Sequence, residues 1–385
     1  MVGISKILCS TSEPGDVIRY TESSSAGPAV VVFNCTRQCN LSCRHCYASA
    51  GNSAGGDGEL TTDGIIRLID ELADIGTSVI LFSGGEPLMR DDIFDIVAHA
   101  GRRNLHAVLS TNGTLITPQT AKRFADIGLD YIGVSIDAAQ PEANDDFRRW
   151  NGAFDMACQG IINARNAGIR CGLRFTMTRQ NISHIPAIFS MAENLQINRI
   201  CFYHLVPVGR AGASLSPDSW HIRRGLDEII THTQRLHDAG KAMEVLTVDN
   251  HADGAYLYLK LLASGRKQHA ELALKLLKKA GGNASGRKIC CVSWDGDVYP
   301  DQFWRNRPLG NINHKNFNEI WHDETCDSLL RQLRDRHSLL NGRCKKCRFL
   351  DICNGNLRAR AEHAGNGIWG DDTACYLTDK EIAHV

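Results

Sequence analysis

Cys39, Cys43 and Cys46 stand in the run Cys39-Asn40-Leu41-Ser42-Cys43-Arg44-His45-Cys46-Tyr47, directly after the apolar stretch Val30 to Phe33. This C-x3-C-x2-C spacing gathers three thiols in one short loop at the end of an expected strand. Thiolates are soft ligands that select zinc, copper(I) or iron–sulfur clusters over hard cations. A closed zinc site takes four protein ligands, and His45 or Cys35 could complete one here. Three cysteines can instead hold a four-iron cluster with one iron left open to a ligand from outside the chain. A second set, Cys344, Cys347, Cys353 and Cys375, follows a C-x2-C-x5-C-x21-C spacing. Four soft ligands make a closed site, and Lys345, Lys346 and Arg348 could offset a negatively charged cluster. A zinc ribbon uses the same ligand types.

Such loops need a scaffold, and from residue 29 to about 240 apolar strand runs alternate with helical patterns. The expected strands are 29–33, 78–82, 106–110, 131–136, 170–178 and 199–205. Between them, helical spacing is carried by Ile65, Ile66, Leu68, Ile69 and Leu72 behind a cap at Thr62, and by the stretches 91–103, 118–127, 153–166 and 182–195. A sixth helix is expected over 216–239. Repeated strand–helix units pair in parallel through right-handed crossovers. The chain is therefore expected to be α/β, an open partial barrel of six strand–helix units followed by a small irregular C-terminal domain. Chemistry in such barrels sits at the C-terminal strand ends. The polar runs fall there: the cysteine loop, Ser83-Gly84-Gly85-Glu86-Pro87, Ser110-Thr111-Asn112-Gly113, then Ser135 and Asp137, with Arg174 inside the fifth strand.

Composition narrows the function class. The chain has 385 residues, with 43 Lys+Arg against 43 Asp+Glu. That balance carries no bulk electrostatic footprint for nucleic acid, so an anionic substrate must meet locally placed cations. Residues 1–10 lack the apolar core of a signal peptide and no run reaches membrane-spanning length. Fifteen Cys without a secretory signal argue for reduced thiols and metal sites in a cytoplasm. The expected segments are an N-terminal extension (1–28), the barrel (29–240), a helical linker with substrate contacts (241–281) and the second-cysteine domain (282–385). Cys9, Cys35, Cys158, Cys171, Cys201 and Cys326 read as small core residues.

The cysteine loop followed by Tyr47, with Gly-Gly-Glu-Pro at 84–87, resembles the radical S-adenosylmethionine superfamily. The resemblance implies a [4Fe-4S] cluster on Cys39, Cys43 and Cys46, whose open iron is chelated by the amino and carboxylate groups of S-adenosylmethionine. It places Gly84, Gly85 and Glu86 by the methionine amine, Ser110 and Asn112 by the carboxylate or ribose, Ser135 and Asp137 by the ribose, Tyr47 near adenine and Arg174 among the cofactor contacts. One electron then breaks the carbon–sulfur bond, and the resulting 5′-deoxyadenosyl radical abstracts hydrogen from substrate. The C-terminal cysteines resemble the auxiliary-cluster extension of this superfamily. Its two-cluster version has further ligands where this chain has Asp301 and Leu357. One auxiliary [4Fe-4S] cluster, on Cys344, Cys347, Cys353 and Cys375, is therefore expected.

The runs 202–210, 247–254, 282–286, 301–304 and 353–356 are similar to radical enzymes that remodel sirohaem-derived tetrapyrroles. That likeness implies 12,18-didecarboxysirohaem as substrate, losing two acetates to give Fe-coproporphyrin III. The haem d1 branch, removing two propionates from the same precursor, is the alternative. A flat polyanion would meet Arg148, Arg149, Arg174, Arg179 and Arg210 at the rim. Tyr203, Phe303 and Trp304 would face the macrocycle, and His204 or His251 its iron. Tyr203, His204, Arg210 and His251 are the candidate catalytic residues. An electron donor such as flavodoxin or ferredoxin is implied. A peptide maturase would carry a leader-binding domain before the barrel, for which residues 1–28 are too few. A non-catalytic iron–sulfur or zinc protein is the remaining class.

Overall fold

The computed structural model describes residues 1–11, 13, 15–20, 26–52, 58–323, 325 and 328–383. Runs rich in β-branched and aromatic residues form eleven strands among them: β1 (Val2–Gly3), β2 (Val30–Thr36), β3 (Val79–Gly84), β4 (His106–Thr111), β5 (Tyr131–Ser135), β6 (Arg170–Met177), β7 (Arg199–His204), β8 (Glu244–Val248), β9 (Ile289–Val292), β10 (Asp297–Tyr299) and β11 (Gly310–Asn311). They join one sheet in the order β1-β8-β7-β6-β5-β4-β3-β2-β9-β10-β11. Strands β2 to β8 are successive parallel neighbours, each pair joined by a helical crossover. The sheet does not close on itself, and the partial barrel expected from the sequence is the fold found.

Two differences concern its extent. The segment 241–281, expected as a helical linker, begins with β8, whose Val245 and Leu246 pair with Ile200 and Cys201 of β7. A five-residue strand running almost directly into the Ala252–Ala263 helix has too short a period-2 signal to stand out. At the other side β9 pairs in parallel with β2, Val31 opposite Cys290 and Val32 opposite Cys291. β1 adds an antiparallel strand to β8, covering that edge with residues of the N-terminal segment.

Each strand is buried on both faces, and the pleat sorts its residues. Phe33, Phe82, Leu109, Val134, Phe175 and Phe202 are fully buried under the helices. Their alternates Val32, Ser83, Ser110, Ser135, Arg174 and Tyr203 point the other way and border one cavity. The helices are held by ordinary means. In Thr62–Asp74 the buried stripe is Ile65, Leu68, Ile69 and Leu72, and the cap is Thr61, whose side chain accepts from Gly64 N. The expected cap, Thr62, instead donates from Oγ1 to Asp92 Oδ2 at 2.6 Å. Thr117 caps the Pro118–Asp126 helix in the same way. Among the described residues, no helix is long and apolar enough to cross a membrane.

Candidate active site

The pairing of β2 with β3 shifts register between Asn34 and Thr36, and this irregularity leads the chain out of the sheet into the cysteine loop. Cys39, Cys43 and Cys46 border a cavity at the C-terminal strand ends. Tyr47, Gly84, Gly85, Ser110, Asn112, Ser135, Arg174, Tyr203, His204, Arg210 and Phe303 share its wall. Burial pushes the Cys39 thiol up to about 12 and also raises Cys43. Thiols so placed keep their protons unless a bound cation replaces them, as a metal centre does. The three-cysteine loop therefore fits an iron–sulfur cluster.

The loop is fastened from four directions. Arg210 donates from Nε to Cys43 O at 2.9 Å and from Nη1 to Ala50 O at 2.6 Å, and its backbone N–H reaches Cys46 O at 3.0 Å. The guanidinium expected to fork a substrate carboxylate thus clamps the loop backbone. Arg148, expected at the rim, is 5% exposed. It places Nη1 3.8 Å from Cys43 Sγ and Nη2 2.5 Å from Asp137 Oδ2. Asp137, expected at a ribose, lies behind the loop, where Oδ2 is also 3.5 Å from His45 Nε2 and Oδ1 accepts from Thr176 N. Asn40 closes the fourth side, accepting from Asn112 Nδ2 at 2.8 Å and donating to Thr114 Oγ1 at 2.9 Å.

The glycine turn works differently from the sequence expectation. A Cβ on Gly85 would sit 1.9 Å from Gln38 O, and one on Gly84, at φ +116°, 2.6 Å from Thr36 O. The pair is required because the turn packs on the backbone entering the cysteine loop. Glu86 does not border the cavity. Its carboxylate is fully buried and accepts from Leu88 N, Thr111 Oγ1 and Asn112 N at 3.2, 2.7 and 2.8 Å, welding the turn to the end of β4. Burial pushes it up to about 6 despite these donors.

Aromatic placement also divides. Tyr47 meets Phe303 edge-on at 5.6 Å and donates to Asn34 Oδ1 at 2.8 Å. Tyr203 lies under the Arg174 guanidinium at 4.5 Å. Trp304, expected at the macrocycle, is fully buried with Nε1 2.5 Å from Glu362 Oε2. It shares an apolar cluster with Leu357, one of the two positions lacking an auxiliary ligand; the other, Asp301, accepts from Phe303 N through Oδ1. His251 is outside the cavity wall, its Nε2 2.9 Å from the Met1 amino group. Arg149 and Arg179 are exposed and outside the cavity wall. Gln302, Ser83, Thr176 and Asp249 also border the cavity; all but Thr176 lie in runs singled out above, though without a role of their own. Ser83 and Thr176 could have been found from strand alternation; Gln302 and Asp249 arrive by tertiary packing alone.

Cys344, Cys347, Cys353 and Cys375 come together around a second, small cavity. Cys344 N donates to Asp371 Oδ1, and Phe349 N is 3.4 Å from Cys347 Sγ. Burial pushes Cys344 up to about 11 and raises the other three. This closed four-thiol set likewise fits a cluster. Of the cysteines expected in the core, Cys35, Cys171 and Cys201 are buried, Cys9 and Cys158 are half-buried, and Cys326 lies outside the described residues.

Comparison with known proteins agrees with this geometry. Residues 33–192 match the radical SAM superfamily and residues 284–348 an iron–sulfur cluster-binding domain. A Fe-coproporphyrin III synthase of Methanosarcina barkeri is 47% identical, over 100% of this chain and 99% of the relative. A pre-heme d1 synthase of Dinoroseobacter shibae is 35% identical, over 91% and 87%. The fold is shared with Streptococcus suis SuiB, solved with S-adenosylmethionine, at a TM-score of 0.72 and 18% identity, over 91% of this chain and 77% of that one. With its cysteine loop, partial barrel and C-terminal cysteine set, this chain belongs to the radical S-adenosylmethionine superfamily and, within it, to the family of the Fe-coproporphyrin III and pre-heme d1 synthases.

Proposed function

We propose that this enzyme removes the two acetate side chains of 12,18-didecarboxysirohaem to give Fe-coproporphyrin III. The likeness along the whole chain to a Fe-coproporphyrin III synthase carries the reading. The cavity supports it: Arg174 and Tyr203 stand in one wall, with the cysteine loop in another. When bound, the cluster and S-adenosylmethionine supply a carbon radical that takes hydrogen from an unactivated position of the substrate. Cys39, Cys43 and Cys46 hold that cluster, and Cys344, Cys347, Cys353 and Cys375 hold the auxiliary one. Arg210 and Arg148 fix the loop, and Arg148 also offsets thiolate charge beside Cys43. Ser110, Asn112 and Ser135 offer hydrogen-bonding groups to the cofactor, with Arg174 as the cation for a carboxylate. Tyr47 and Phe303 close the apolar side and exclude water. The enzyme works in the cytoplasm with a low-potential donor such as flavodoxin or ferredoxin.

The test is anaerobic incubation of reconstituted enzyme with didecarboxysirohaem, S-adenosylmethionine and reductant, followed by mass analysis. Loss of two acetates supports the proposal. Loss of two propionates would move the chain to the haem d1 reaction, and an unchanged tetrapyrrole alongside active cofactor cleavage would refute both.

A further inference from the structure

Strand β8 runs into Asp249, whose φ of +66° is left-handed, a conformation that Asp tolerates better than most side chains. The turn is held from the C-terminal region by Arg360. Its Nη2 donates to Asp249 O at 2.7 Å, while Nε and Nη2 fork the Asp372 carboxylate at 2.7 and 2.9 Å. Asp249 thereby borders the cavity together with Tyr203 and His204. Among the described residues, its Oδ2 is sealed from solvent and has no hydrogen-bond partner. Buried carboxylate oxygens are normally satisfied, so an orphan in a cavity wall calls for a ligand.

The electrostatics of the position strengthen this carboxyl's hold on a proton relative to an exposed Asp. Burial pushes it up to about 6, and the Asp301 charge acts in the same sense against the Met1 amino group, Arg360 and His204. A polyanionic substrate entering the cavity adds to that push. An ionised Asp249 would repel such a substrate, whereas a protonated one can donate to it through a short, strong hydrogen bond.

We propose that Asp249 contacts the substrate directly, its carboxyl acting as hydrogen-bond donor to one carboxylate of the tetrapyrrole. This rests on the reading of the cavity as a tetrapyrrole site. Asp249 then helps to select how the macrocycle is seated, a role distinct from that of the cationic Arg174.

The experiment is optical titration of didecarboxysirohaem, and of its fully methyl-esterified form, into wild-type, Asp249→Asn and Asp249→Ala protein at matched iron content. Asp249→Ala should weaken binding of the free acid about tenfold. The ester, whose carbonyl is a weaker acceptor than a carboxylate, should show a much smaller difference between wild type and Asp249→Ala. Asp249→Asn, which keeps a donor, should bind the free acid within about threefold of wild type. If Asp249→Ala does not incorporate iron, Asp249→Gly, which lacks a donor and suits the left-handed φ, takes its place with the same expectation. Equal penalties for acid and ester, no penalty for either, or an Asn variant as weak as the Ala variant would overturn the inference while leaving the proposed function standing. Failure of the wild type to bind the free acid would overturn both.

Discussion

His204 Nε2 lies 2.8 Å from Asp253 Oδ2, and the other oxygen of that carboxylate accepts from Tyr376 at 2.7 Å. His204 borders the barrel cavity, and Tyr376 follows Cys375, which borders the second one. Beside them Asn250 donates to Ala374 O at 2.9 Å and accepts from Asn356 Nδ2 at 2.8 Å, while Asn356 also borders the second cavity. Two cysteine sites far apart in sequence are thus joined by a buried polar network. Such networks are rigid when every member is satisfied and costly when one is removed.

Removing the centre of that network should be felt at the auxiliary site. Asp253→Ala leaves the Tyr376 hydroxyl without its partner and His204 with only Asn250 Nδ2 at 3.5 Å, and should cost about 1–3 kcal/mol of stability, read by denaturant unfolding. The electron paramagnetic resonance signal of the auxiliary cluster should change while that of the three-cysteine cluster stays as it was. Identical spectra for both clusters would show that the network does not couple to the second site.

Replacement of Cys39, Cys43 or Cys46 by Ala should remove one four-iron cluster and abolish S-adenosylmethionine cleavage. Iron analysis and 5′-deoxyadenosine assay measure the two effects. Cleavage retained by the purified, reconstituted triple variant would rule out the mechanism.

Arg210→Lys separates a clamp from a substrate fork. The guanidinium donates to two loop carbonyls from two nitrogens, a geometry that a single ammonium does not reproduce. Iron incorporation at the three-cysteine loop, cofactor cleavage and substrate turnover should fall together. A variant that loses turnover but keeps both iron and uncoupled cleavage would restore the fork.

Glu86 gives a pH signature with a definite sign. Its folded value is held up to about 6 against an ordinary 4.5, so between these pH values the folded chain binds more protons than the unfolded one. Stability from this group therefore falls as pH rises through that window, by about 2 kcal/mol in all. Glu86→Gln should be less stable outright, because an amide nitrogen cannot accept from Asn112 N or the other donors, and its unfolding free energy should vary less between pH 4.5 and 6. A wild-type and variant pair with parallel profiles would contradict the assignment.

The C-terminal site is tested by metal content. Changing Cys344, Cys347, Cys353 and Cys375 together to Ala should halve the iron, leave cofactor cleavage partly intact and block complete substrate conversion. A redox-active auxiliary cluster can take up or return an electron when a side chain leaves as a closed-shell fragment, and zinc cannot. One zinc and a single cluster's worth of iron in anaerobically prepared wild type would refute the assignment without touching the barrel chemistry.

The sequence by itself determined the first six strand–helix units of the barrel, its loop order and the grouping of the two cysteine sets. These rest on short-range signals: apolar strand runs, helical stripes such as Ile65, Leu68, Ile69 and Leu72, and the close spacing of Cys39, Cys43 and Cys46 and of Cys344, Cys347 and Cys353. It also placed Ser110, Ser135, Arg174 and Tyr203 at the cavity, because strand alternation alone aims them inward. What it could not decide was how charged side chains are paired across strands. Arg148 and Arg210 border the cavity yet spend their guanidinium groups on the cysteine loop and Asp137, while Asp137 and Glu86 are turned to buried partners outside the cavity wall. Desolvated charges and hydrogen-bonding groups seek such partners, and the partners lie from 11 to 167 residues away. Asp249 shows the converse. Only the joining of β8 to β7 and the grip of Arg360 bring it to the cavity wall, and there it is left with an oxygen that no group among the described residues satisfies.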